Sequence, residues 1–173
     1  GHYATPLHLG AVWHLYQGLA PAGPRRALPP VLILASAWTW ASFIHGSYFH
    51  SGEVGKDLEA VPEEDTATRE RLLATAKSFE RAMLLAYAPL GLAFVTASVF
   101  IIDAVTRGET AYPRWSGPLV APLLPIAVAT ALTASHILPG RARHAFQGAG
   151  ISLGNLISLA ASTMLLWRDP KTT

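Results

Sequence analysis

The chain has 173 residues, of which 51% are hydrophobic and 14% are charged, and its formal net charge is +2. Soluble domains carry about a quarter charged residues, so this composition, with a mean hydropathy of +0.31, indicates a multispanning membrane protein. The small net charge and the lack of a basic run interleaved with aromatic residues predict no nucleic-acid partner. The absence of cysteine excludes disulfides, thiolate catalysis and cysteine-ligated zinc or iron–sulfur centres.

Apolar runs predict a single all-α domain, a transmembrane helix bundle of about five spans in the lipid bilayer. The first run, residues 4–20, is the shortest and contains several polar side chains. The other four are each about 21–24 residues long, and about 20 helical residues cross a hydrocarbon core of ~30 Å. These four runs are residues 30–50, 82–105, 118–138 and 146–167.

Residues 51–81, between the second and third runs, predict one extramembrane helical connection. This segment holds eight of the chain's eleven acidic residues. Asp65 or Thr66 is suited to cap a helix that continues into the third span. The other connections are short and rich in proline and glycine. Basic residues are divided equally between the two sides of a five-span chain, so the positive-inside rule leaves the orientation open.

Polar side chains in and beside the spans predict one intramembrane pocket. Ionisable and amide groups are costly against lipid, so we expect them to face the bundle interior or its ends. In an antiparallel bundle, the end of the second span, the start of the third and the end of the fourth lie on the same membrane side. The candidate catalytic residues at this end are His45, His50, Glu80 and His136. The candidate binding residues are His14, Trp38, Ser47, Glu53, Tyr87 and Asn155.

The candidate acid–base residues also have purely structural interpretations. His45 and His50 can act as interfacial donors to backbone carbonyls. Glu80 can pair with Lys77, three residues earlier on the same helix. The sequence alone does not separate these roles from catalysis.

Small and polar residues near the ends of the spans have structural interpretations as well. Gly150 and Gly154 form a G-x-x-x-G pattern that is typical of close helix packing. Asp103 is expected at the membrane interface with Arg107, four residues later. Asn155 predicts either an interhelical hydrogen bond or a contact with a substrate.

Three short segments follow a recognisable family pattern. In the first, Trp13 and Tyr16 precede the turn Pro21-Ala22-Gly23. The second is an H-x-S-aromatic segment formed by His45, Ser47 and Tyr48, and the third is Leu153-Gly154-Asn155 in the last run. In these segments the chain resembles a family of uncharacterised bacterial multispanning integral membrane proteins. The resemblance implies a multi-pass protein of the bacterial inner membrane with one further helix before residue 1, and it implies no activity.

The first functional hypothesis is the binding of a lipid or isoprenoid-like molecule, or acid–base chemistry on it. A buried carboxylic acid can protonate an alkene, and aromatic faces stabilise the resulting cation. Glu80 or Glu53 would be the acid, with neighbouring histidines as proton relays. The relays would be His45 and His50, and the aromatic walls Trp38, Trp40 and Tyr87.

Two other hypotheses remain open, and the sequence leaves cofactor and metal unassigned. A histidine-ligated metal or haem would need His45 or His50 opposite His136, with His14 as a further candidate ligand. His45 and His50 are about 140° apart around one helix, so they do not share a face. The chain would alternatively be an accessory or structural subunit that packs against a membrane protein partner or a second copy of itself.

Overall fold

The computed structural model describes residues 5–135 and 149–167, and the regular secondary structure of this part is entirely helical. His136 and the connection after the fourth run lie outside the described residues. The helices are α1 (Thr5–Leu19), α2 (Pro24–Ala60), α3 (Thr66–Thr106), α4 (Gly117–Val120), α5 (Leu123–Ala134) and α6 (Gly150–Leu166). Short 3₁₀ turns at Ala20–Ala22 and Arg114–Ser116 precede α2 and α4.

Two helices, α2 and α3, are long and apolar enough to cross a membrane, which supports the prediction of a membrane protein. A third span results if α4 and α5, with the 3₁₀ turn before them, count as one bent helix. The helices α1 and α6 have 15 and 17 residues, or roughly 22 and 26 Å, less than the ~30 Å of a hydrocarbon core. Five complete spans therefore stay a prediction.

The helices α2 and α3 form an antiparallel hairpin that is the largest unit of the fold. They contain 37 and 41 residues, which correspond to roughly 55 and 60 Å, so about half of each extends beyond a membrane-sized core. The edge of Phe94 packs against Trp38, with ring centroids 5.7 Å apart, and the indole N–H of Trp40 donates to the carbonyl of Ala86 at 2.7 Å. Aromatic side chains thus join the two helices within their apolar halves.

The start of α2 lies six residues before the predicted run. Pro24 occupies the first turn, where a helix needs no backbone N–H, and Gly23 before it has a φ of 83°. Pro29 and Pro30 fall inside the helix but still near its N-terminus. Pro29 and Pro30 therefore follow a first turn that Pro24 begins.

The connection 51–81 is helical as predicted, and it consists of continuous extensions of α2 and α3. Asp65 is the N-cap of α3, and its side chain accepts a hydrogen bond from the Thr68 N–H at 3.1 Å. Arg69 donates to the carbonyls of Leu58 and Val61, at 3.1 and 2.9 Å, and so satisfies the end of α2. Of the two predicted caps, Asp65 and Thr66, the structure has Asp65, and the unbroken continuation of its helix into the third run is confirmed.

The predicted span 118–138 contains a break between α4 and α5, with a bend of 48°. Pro122 has no N–H, and Ala121 before it is extended, with φ −78° and ψ 133°. Two hydroxyl groups satisfy the backbone at this break. The Leu123 N–H donates to Ser98 Oγ at 3.0 Å, and Ser158 Oγ donates to the Val120 carbonyl at 2.7 Å. Non-helical backbone at membrane depth requires such partners.

The helices α5 and α6 pack in close antiparallel contact, as the G-x-x-x-G pattern predicts. Gly150 lies against Thr130 and Gly154 against the backbone of Ile126, and neither contact leaves room for a Cβ atom. The buried residues of α6 recur every four positions along one face. They are Gly150, Gly154, Ser158 and Ser162.

Tyr112 joins three parts of the bundle from the loop between α3 and α4. Its ring lies against Gly18 of α1, and its hydroxyl is 2.7 Å from that of Ser162 in α6. The N–H of Ala111 donates to the carbonyl of Gly18 at 2.9 Å. The side chain is buried, with 3% of its surface exposed. The loop is therefore an internal support of the bundle.

Ion pairs lie at the same end of the bundle as Tyr112. Asp103 and Arg107 form the expected pair, with oxygen–nitrogen distances of 2.8 to 3.0 Å. Arg26 pairs with Glu109 and so connects the start of α2 to the loop after α3.

Candidate functional site

A cavity of about 290 Å³ lies between α1, α2, α4 and α6. Most of its lining is aliphatic, and none of the described residues that line it is Asp, Glu, Lys or Arg. The polar or aromatic residues that line it are His8, Trp38, Ser152, Asn155, Ser158 and Ser162. We refer to this space as the central cavity.

One wall of the central cavity contains a stacked pair of rings, His8 and Trp38. Their centroids are 3.8 Å apart and their planes differ by 25°. Trp38 is held from the other side by Phe94, and only 9% of its surface is exposed. His8 shares a face of α1 with Val12 and Leu15, since helical residues four and seven positions apart align.

Asn155 lines the opposite wall, on α6. Its side-chain N–H donates to the carbonyl of Ile151 at 2.8 Å, four residues earlier on the same helix. The amide therefore makes no interhelical hydrogen bond within the described residues. The sequence left two roles open for Asn155, and its position beside a cavity agrees with the second, a ligand contact.

The serine hydroxyls deeper in the central cavity hold the fold together. Ser158 donates to the Val120 carbonyl, and Ser162 is hydrogen-bonded to Tyr112. Since these groups already have partners, they are poor candidates for binding a ligand. Asn155, by contrast, keeps an acceptor atom, its Oδ1, to which no other described residue donates.

Two leucines rim the central cavity between α1 and α6. Leu7 has 76% of its surface exposed and Leu156 has 60%. Such exposure is unfavourable in water but favourable against acyl chains. The rim therefore suits an opening toward the hydrocarbon of a bilayer.

His45 lies beside a smaller cleft of about 50 Å³ between α2, α3 and α6. Trp38 and Ser152 line both this cleft and the central cavity. Tyr87 lines the cleft as well, and the His45 ring is 6.4 Å from that of Tyr48. The predicted binding residues Trp38 and Tyr87 are thus close to His45.

Glu80 lines a separate groove of about 310 Å³ on the hairpin. Tyr48 and Tyr87 lie in the same groove, and their hydroxyl oxygens are 2.8 Å apart. Within residues 5–135 and 149–167, Glu80 makes no ion pair, so the expected pairing with Lys77 is not formed there. Tyr87 is the residue that the groove and the His45 cleft have in common.

Three other predicted site residues have local partners outside these cavities. His50 stacks on Phe79, with ring centroids 6.0 Å apart and planes within 13°. Glu53 forms an ion pair with Lys56 at 2.7 Å. Ser47 donates to the carbonyl of Phe43, four residues earlier. These partners are all provided by the α2–α3 hairpin.

His14 faces α6, where its Nε2 is 3.4 Å from the hydroxyl of Thr163. His136 lies outside the described residues, so its proximity to His45 stays a prediction. Among the residues that the structure describes, no group of three or more His, Asp or Glu could hold a metal ion. No family model, curated protein or solved structure matches this chain.

Sequence reasoning missed His8 and Ser152. His8 is the fourth residue of α1, in the shortest of the apolar runs. Its signal is the spacing to Val12 and Leu15, which are both buried. Ser152 gave no signal, because serine is common on the faces of membrane helices.

Proposed function

We propose that this protein is a multi-pass protein of the bacterial inner membrane, with about five spans, that binds a lipid- or isoprenoid-like molecule in the central cavity. The observation that carries the proposal is a cavity of about 290 Å³ with a mostly aliphatic lining, no Asp, Glu, Lys or Arg from residues 5–135 and 149–167, and a rim of exposed leucines. Small-molecule sites are typically apolar clefts with a few polar groups that fix the orientation of the ligand.

The lateral rim also supports entry of the ligand from the bilayer. Leu7 and Leu156 are on different helices, and the exposed side chains of both border the same opening. A molecule dissolved among acyl chains would reach the cavity without crossing water. This agrees with a hydrophobic ligand and not with a polar metabolite.

Acid–base chemistry on the ligand would involve His45 in preference to Glu80. Trp38 and Ser152 line both the central cavity and the cleft of His45, whereas Glu80 belongs to the groove beyond Tyr87. A general acid or base must come within hydrogen-bonding reach of the reacting group, directly or through one water molecule. The shared walls therefore favour His45 as the residue that acts on a bound molecule.

The experiment is photo-crosslinking of the protein in lipid nanodiscs. Two probes with a diazirine on the chain, one derived from 1-decanol and one from decanoic acid, are each irradiated with the protein. We expect at least one to label α1 and α6 near Ala11 and Leu156, and excess unlabelled compound to suppress this labelling. Labelling that is not saturable and extends evenly over exposed leucines such as Leu84 and Leu92 would contradict the proposal.

A cavity-filling variant provides the matched control. Ala11 lines the central cavity, while Ala160 is an exposed alanine on α6 that does not. We expect Ala11→Phe to reduce saturable labelling about tenfold and Ala160→Phe to leave it unchanged. Equal effects of the two substitutions would mean that the probe binds elsewhere.

A further inference from the structure

The chemistry of the cavity walls restricts the kind of lipid-like molecule that fits, on the assumption that the proposed function holds. Among the residues that the structure describes, no Asp, Glu, Lys or Arg lines the central cavity, and His8 is the one titratable side chain in its walls. A phosphate, carboxylate or ammonium group buried there would have no permanently charged side chain of these residues beside it, and an uncompensated charge in an apolar environment is strongly disfavoured. The polar group of the ligand is therefore neutral.

The hydrogen bond of Asn155 determines which neutral group is suitable. Since the atom that faces the Ile151 carbonyl must be a donor, it is the amide nitrogen, and the other terminal atom of the side chain is Oδ1. No described group donates to Oδ1, and no side-chain nitrogen or oxygen of the described residues is both buried and unsatisfied. Oδ1 is thus an accessible acceptor that can take a hydrogen bond from a donor on the ligand.

The size of the cavity limits how much of the ligand is enclosed. A volume of 290 Å³ corresponds to about ten groups of the size of a water molecule or a methylene, at ~30 Å³ each. A whole phospholipid is far larger. The cavity therefore encloses about ten non-hydrogen atoms, and any longer chain would pass the leucine rim into the bilayer.

We infer that the central cavity binds a neutral long-chain or isoprenoid alcohol, whose hydroxyl donates a hydrogen bond to Asn155 Oδ1. Trp38 and His8 form the flat wall opposite, against which an alkyl or prenyl chain packs. An aliphatic ether or ester of the same length fills the same space but has no donor. An alcohol and its isomeric ether are thus expected to differ in affinity, because only the alcohol has a hydrogen on its oxygen.

The test uses the unaltered protein and changes the ligand. Unlabelled 1-decanol, its isomer methyl nonyl ether and sodium decanoate each compete with the decanol-derived photo-probe in nanodiscs. A net hydrogen bond contributes about 0.5–1.5 kcal/mol, so we expect decanol to compete about fivefold more strongly than the isomeric ether. Decanoate should be weaker than both.

The possible results distinguish this inference from the proposed function. If the ether or the acid competes as well as the alcohol, the donor requirement is wrong while the cavity remains a lipid site. If neither the alcohol nor the acid probe gives saturable labelling, the proposed function itself fails. A preference for the alcohol alone supports both.

Two variants then assign the acceptor. In Asn155→Leu the preference for alcohol over ether should disappear. Ser152 also lines the cavity, so Ser152→Ala is the control, and in this variant the preference should remain. Loss of the preference in Ser152→Ala but not in Asn155→Leu would show that Asn155 is not the acceptor. If Asn155→Leu does not fold, the comparison of decanol with the isomeric ether in the unaltered protein still tests the donor requirement.

Discussion

Gly154 of α6 lies directly against the main chain of Ile126 in α5, and a Cβ atom at position 154 would overlap the Ile126 backbone. Backbone cannot rotate away as a long side chain can, so this contact fixes the distance between the two helices. Close approach through small residues is a principal source of helix association in lipid, where apolar burial gives no advantage.

Substitution of Gly154 by alanine is expected to destabilise the bundle by about 1–3 kcal/mol, the usual cost of overpacking. Gly91 is the matched control, because it is also helical and no atom of another part of the chain lies within 4 Å of its would-be Cβ. Gly91→Ala should be neutral or slightly stabilising, since alanine favours the helix. Unfolding in a titration with sodium dodecyl sulfate measures both, and equal effects would contradict the assigned contact.

Removal of the Ser98 hydroxyl should destabilise the break between α4 and α5. In Ser98→Ala the Leu123 N–H loses its partner at a fully buried site, which costs about 1–3 kcal/mol. Ser78 is an exposed serine of the same helix, so Ser78→Ala is the control. Unfolding in a titration with sodium dodecyl sulfate measures the stability of both variants. A Ser98→Ala protein as stable as the control would show that water or another group satisfies this N–H.

Because the Tyr112 hydroxyl is buried, we expect the stability of the protein to fall at alkaline pH. Burial raises the pKa of the Tyr112 phenol above its ordinary value of 10.0, while the hydrogen bond with Ser162 acts in the opposite direction. A raised pKa in the folded state means that stability is complete below pH 10 and is lost as the pH rises through the folded-state pKa.

The variant Tyr112→Phe isolates this effect. It should lose about 1 kcal/mol near neutral pH, through the missing hydrogen bond. Above pH 10 the unaltered protein should lose more stability than the variant, and the difference between them should shrink. Thermal unfolding followed by circular dichroism from pH 7 to 11 measures this, and parallel pH curves would contradict the burial of the phenol.

We expect the start of α3, at the tip of the hairpin, to be sensitive to acid because Asp65 caps it. The hydrogen bonds from Thr68 lower the pKa of the Asp65 carboxyl below its ordinary value of 3.8. The cap is therefore complete above that value and is lost as the pH falls through the folded-state pKa. Hydrogen exchange of the amides in residues 66–69 should accelerate in Asp65→Ala. Asp57→Ala, an exposed acid of α2, should leave these amides unchanged.

The two ends of the α2–α3 hairpin differ in charge, which predicts the orientation of the protein. The extension 51–81 has eight acidic and five basic residues, while residues 20–29 and 103–117 at the opposite end have four basic and two acidic residues. The positive-inside rule counts Lys and Arg, five against four here, so it does not separate the two ends. The excess of acidic residues at the hairpin tip favours the tip outside and the opposite end in the cytoplasm.

Cysteine labelling tests this orientation directly, because the chain has no cysteine of its own. In intact bacterial cells, a membrane-impermeant maleimide should label Glu64→Cys, and it should label Arg25→Cys only after permeabilisation. The reverse pattern would invert the orientation. Labelling of both from one side would contradict a pair of spanning helices.

The features that could be predicted from the sequence are those fixed by local interactions. The apolar runs of α2 and α3, the cap at Asp65 and the small-residue face of Gly150 and Gly154 follow from residues within a few turns of one another. Composition and run length suffice for such features, because each helix satisfies its own backbone hydrogen bonds.

The break at Pro122 and the central cavity depend on the tertiary structure. A proline within an apolar run produces either a kink or an interruption, and the hydroxyls of Ser98 and Ser158, contributed by two other helices, stabilise the interruption here. Membrane helices are apolar on nearly every face, so periodicity does not show which face of α1 meets α2. Only the packing of α1 against its neighbours brought His8 onto Trp38 and placed both rings on the wall opposite Asn155.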